Sequence, residues 1–104
     1  MKLTELDDLL KATGLPVAYS HFSKPQKPPF ITYMVAYSSN FTADDQVYQE
    51  IENVQIELYT LKKDFEAEEK VKAVLDANNL VYETSETYIP SEKLYQKVYE
   101  VRLL

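Results

Sequence analysis

The chain has 104 residues, of which 45% are hydrophobic and 27% charged, with no cysteine and a formal net charge of −6. Such a composition belongs to a folded domain with one modest core rather than to a disordered chain. It excludes disulfide and thiolate chemistry, and its acidity argues against sequence-independent nucleic-acid binding and against docking on an anionic membrane.

Met1 leads straight into an acidic amphipathic segment, without the basic start and apolar run of a secretory signal, and no stretch has the length and apolarity of a membrane span. Thr4-Glu5-Leu6-Asp7 fits a capping box, with the Thr4 hydroxyl available to an orphan amide. Leu3, Leu6, Leu9, Leu10 and Thr13 recur at helical spacing, and Gly14 followed by Pro16 supplies the stop. The spacing predicts a helix over residues 4–13 with a core-facing stripe. Residues 17–22, VAYSHF, read as a short strand. Beyond them lies SKPQKPP, where Pro25, Pro28 and Pro29 lack amide donors and cannot enter a central strand. That segment is expected at the surface, as a stiff connector or as an arm that reaches a partner.

Residues 30–38, FITYMVAYS, are apolar on both parities, the look of a strand covered on both faces. Next, SSNFTADDQ reads as a polar loop around the lone Phe41. The stretch that organises the chain is residues 47–62, VYQEIENVQIELYTLK. Val54, Ile56 and Leu58 point one way and Gln55, Glu57 and Tyr59 the other, a half-buried strand. Ile51 falls on the opposite parity, which predicts a bulge near Asn53. The two strands are expected to form a long antiparallel hairpin.

Asp64 is a suitable N-cap for a second helix, with Glu66, Glu68 and Glu69 in its first turn. Ala67, Val71, Val74, Leu75 and Asn78 fall on one face, and Glu66–Lys70 and Glu68–Lys72 are spaced to pair on the other. Asn78-Asn79 takes the place of a terminal glycine, because Asn tolerates the left-handed conformation. Residues 80–88 and 94–104 read as two more strands joined by a turn over residues 89–93. The whole is one α+β domain over residues 1–104, in the order α-β-β-β-α-β-β. Two helices are expected on one face of a mainly antiparallel sheet.

No catalytic constellation emerges, so the chain is not expected to be an enzyme or to hold a metal or cofactor. His21 is the only histidine and has no orienting partner or oxyanion site nearby in sequence. Asp44-Asp45 lacks the alternating acids, glycine and terminal Glu of a calcium loop and reads as a solvated turn. One glycine cannot build a phosphate-binding loop. The sequon Asn40-Phe41-Thr42 has no consequence without a secretory route. Glu50, Glu52 and Glu57 are the least explained acids. They read as a solvated sheet face or, alternatively, as part of a carboxylate stripe by which an acidic DNA mimic blocks a DNA-binding enzyme. Nine tyrosines add material suited to strands and interfaces.

Taken together, TGLPVAYSHF, PQKPPFITYMVAYSSNFTADD, the strand-to-helix junction IELYTLKKD, LDANNLVYE and ETYIPSEKLYQKVYEVRLL resemble a known group. The chain is similar over nearly its whole length to the small tail-completion (tail-terminator) and head–tail joining proteins of long-tailed phages and prophages of Gram-positive bacteria. The resemblance implies a virion structural protein made in the bacterial cytoplasm. It would form a ring of six copies at the head-proximal end of the tail tube. That ring would contact the tube protein and the head connector and let DNA through without specific binding. A head-closure or adaptor protein is the neighbouring alternative. The family offers no catalytic residues to transfer. From the residues themselves, the contact elements are expected to be the arm with Pro25, Pro28 and Pro29 and the loop with Phe41, Asp44 and Asp45. Phe41→Ala is expected to leave the monomer folded and to weaken assembly.

Overall fold

The computed structural model describes residues 1–43 and 46–103, with side chains described for residues 1–39 and 51–103. The elements run α1 (Leu3–Lys11), β1 (Val17–Tyr19), β2 (Phe30–Ala43), β3 (Gln46–Thr60), α2 (Phe65–Ala77), β4 (Tyr82–Ile89) and β5 (Leu94–Leu103), the expected α+β order. One five-stranded sheet has the strand order β1-β2-β3-β5-β4. All neighbours pair antiparallel except β1 and β2, which are parallel.

The alternation of β3 sets the two faces. Val54, Ile56 and Leu58 are buried beneath the helices with Ile31 and Tyr33 of β2 and Tyr99, Val101 and Leu103 of β5. Helix α1 contributes Leu6 and Leu10, and α2 contributes Ala67, Val71 and Leu75. Each of these positions lies three or four residues from the next, one stripe per helix. Removing a Leu or Val side chain from water is worth about 1.5–3 kcal/mol, so this cluster is what holds the helices to the sheet.

Local chemistry sets the helix ends. The Asp64 side chain accepts from the Ala67 amide at 3.0 Å, the predicted N-cap of α2. Asn79 ends it at φ 55°. The capping box predicted for α1 does not form. Lys2 is the N-cap and makes no side-chain cap bond, and Thr4 lies inside the helix. Starting at Leu3 lets Met1 and Leu3 pack against the core, which outweighs one hydroxyl cap. Gly14, at φ 84°, turns the chain toward β1.

Three sequence expectations change. Strand β2 does not stop at Ser38 but runs on through Phe41 to Ala43, paired with Gln46–Thr60 of β3. Cross-strand pairing thus overrides the polar, loop-like composition of SSNFT. The extra residue near Asn53 sits on the partner strand: Val35 faces Val54 and Tyr37 faces Asn53, leaving Ala36 unopposed. The β3–β5 register is unbroken there. Finally, Glu68 does not turn to Lys72 but to Lys63, at 2.7 Å, and to Lys97, at 3.8 Å. Lys63 also holds Glu86 of β4, so one ammonium ties the start of α2 to the sheet edge.

A candidate assembly surface

The hairpin of β2 and β3 is longer than the sheet that holds it. Strand β5 pairs with β3 only from Glu52 to Thr60, and β1 pairs with β2 only from Ile31 to Tyr33. Past Ser39 and Ile51 the two strands, among the described residues, therefore pair only with each other, and they project as a ribbon from a molecule of 49 × 29 × 24 Å. An isolated two-stranded ribbon is marginal in water. Phe41 and Glu50 lie in this ribbon, where their backbones pair with Gln49 and Asn40. Asp44 and Asp45, expected in the same region, lie outside the described residues.

At the base of the ribbon sits Glu52, half-buried, with Oε2 shielded from solvent and reached by no donor among the described residues. A buried acceptor without a donor costs about 1–3 kcal/mol. Glu57 is the opposite case. It lies on the helix-free face, where Oε2 accepts from Thr32 at 3.3 Å, from Gln96 at 3.3 Å and from the Tyr59 hydroxyl. Its Oε1 accepts from Gln55 at 3.0 Å. Burial, and then the Glu57 hydrogen bond, push the Tyr59 phenol up to about 12. Glu52 and Glu57 are five positions apart on an unbroken strand, so they leave opposite faces, and no continuous carboxylate stripe runs through both.

The proline segment is the crossover that the parallel pair needs, carrying the chain from the end of β1 back to the start of β2. It passes over the helix-free face. Phe22 meets Phe30 edge-on at 5.4 Å between ring centres, and Phe30 stacks on Tyr59 at 5.0 Å. Pro25 is exposed, while Pro28 and Pro29 are half-buried. His21 is exposed, its Nδ1 3.1 Å from the Ser20 hydroxyl.

Sequence reading missed several apolar side chains left in water. Val81, just ahead of β4, is 81% exposed, and Phe65, at the start of α2, is 71% exposed. Tyr37 on the projecting hairpin and Tyr19 and Tyr88 on the two edge strands are exposed as well. The parity of Val81, opposite that of the core-packed Tyr82, is the signal that could have found it. Among the described residues no group of three or more metal-ligating side chains converges. No helix among the described residues is long and apolar enough to cross a membrane.

Comparison with known proteins adds a likeness of fold. No protein-family model matches the chain, and no curated protein matches it. Among solved structures, a chain from the virion of a native gene transfer agent particle superposes with a TM-score of 0.66. The match covers 90% of this chain and 81% of that one at 14% sequence identity, so the two share a fold.

Proposed function

We propose that this protein is a structural component of a phage-like virion, a ring-forming subunit that caps the head-proximal end of the tail tube and joins it to the head connector. The observation that carries the reading is the shared fold over nine-tenths of the chain with a component of a virion particle. The surface supports it. A ribbon whose two strands, among the described residues, pair only with each other gains by lying on a neighbour, and a donor from that neighbour would satisfy Glu52 Oε2. The acidic chain suits a passage that must not retain DNA. A closed ring uses heterologous contacts, so each copy carries two different adhesive surfaces.

Native mass spectrometry over a range of concentrations, with electron microscopy of the large species, tests the reading. A closed ring of about six copies is expected, either alone or on purified tails. A protein that stays single at every concentration and does not cap tails would sink it.

A further inference from the structure

The sheet has two bare edges of unlike character. On one side, β4 pairs with β5 through all eight of its residues without a register break. It contains no proline, no lysine and no bulge, the usual devices that blunt an edge. Among the described residues nothing pairs with its outer side. The opposite edge is β1, three residues long and followed by the proline segment.

Their charges are complementary. From Leu9 to Ala43, the region of β1, the proline segment and β2, the chain carries Lys11, Lys24 and Lys27 and no acid. From Ala73 to Glu92, the region of β4, it carries Asp76, Glu83, Glu86 and Glu92 and no base, with Glu86 already held by Lys63. Lys24, Lys27 and Glu83 are all exposed. Apolar side chains in water accompany both edges, Tyr19 at one and Val81 and Tyr88 at the other.

We infer that the β4 edge of one copy pairs with the β1 edge of the next, joining their sheets head to tail. This deepens the proposed ring and rests on it, since it names the two unlike surfaces that such a ring needs. Direction agrees. Strand β1 is parallel to β2, while β4 runs parallel to β3 and therefore opposite to β1. Copies related by rotation about an axis along the strands bring β4 and β1 together antiparallel, the more stable ladder. With β1 so short, main-chain bonds are few, and the Lys24–Lys27 charges against Glu83 set the polarity of the contact.

The test uses two variants of the full chain, Lys24→Glu/Lys27→Glu and Glu83→Lys/Ser85→Lys, all four at exposed positions. The first makes both ends acidic, and the second makes both ends basic. Each alone is expected to assemble at least about tenfold more weakly than the unaltered protein. Mixed in equal amounts they recover assemblies that hold the two in alternation. A second measurement needs no variant: amide exchange across β4 slows at least about tenfold in the assembled form, free or seated on tails. Variants that assemble alone like the unaltered protein, or β4 amides that exchange equally fast in assembled and single chains, overturn the edge pairing and leave the ring standing. An unaltered protein that neither assembles nor caps tails overturns both.

Discussion

The Tyr33 hydroxyl donates to an Asp7 carboxylate oxygen at 2.7 Å, tying α1 to the first part of β2. Lys11, one turn along the helix, holds the other oxygen at 2.7 Å. The Lys11 hydrogen bond first, and then that of Tyr33, hold Asp7 below the usual carboxylate range. A lowered folded value means a contribution that is present above about pH 4 and is lost as pH falls through it. Tyr33→Phe is expected to cost about 1 kcal/mol at pH 7. Melting curves of Asp7→Asn and the unaltered protein should differ at pH 7 and converge toward pH 2.

Leu75 of α2 is fully buried against the sheet. Leu75→Ala is expected to cost about 2–5 kcal/mol, the transfer of its methyl groups plus the cavity left behind. Denaturant unfolding followed by far-ultraviolet circular dichroism checks it. Val81→Ala, on a side chain almost wholly in water, should change stability by less than about 0.5 kcal/mol.

Alkali provides a third test. Burial first, and then Glu57, push the Tyr59 phenol up to about 12, and burial also raises Tyr33 and Tyr99. Because these folded values lie above the unfolded one, their stabilisation is intact below about pH 10 and is lost as pH rises beyond it. Phenolate absorbance should therefore show Tyr33, Tyr59, Tyr99 and Tyr82, which burial also raises, ionising late, together with loss of circular dichroism. In Tyr59→Phe one fewer tyrosine should ionise late.

The ribbon can be removed. Because β5 reaches β3 only as far as Glu52, replacing residues 41–49 by Asn-Gly leaves the sheet and its core in place. Stability is expected to stay within about 1 kcal/mol, since a shorter connection also lowers the closure entropy. Assembly, measured by light scattering, should be lost.

Legibility in the sequence followed the range of the forces involved. Asp64 reaches an amide three residues away, and the stripe of Val71 and Leu75 needs only the helical repeat; both were readable. The alternation at Val54, Ile56 and Leu58 was readable for the same reason. What escaped was set by partners distant in sequence. Phe41 lies in a strand because Gln49 faces it. Ala36 bulges because Asn53 and Val54 keep step with β5. Glu68 pairs with Lys63 and with Lys97 of β5 and not with Lys72, four residues along its own helix. Glu57, once counted among the unexplained acids, is occupied by donors from β2, β3 and β5.

The last strand in sequence is not the last in the sheet: β5 lies between β3 and β4. During synthesis the hairpin of β2 and β3 can close early, but β3 has a bare flank until β5 arrives. Strand β4, which among the described residues pairs with no strand but β5, has no place in the sheet before then. The two ends of the sheet therefore cannot exist together on a nascent chain, and the proposed head-to-tail pairing would require a polypeptide made through β5.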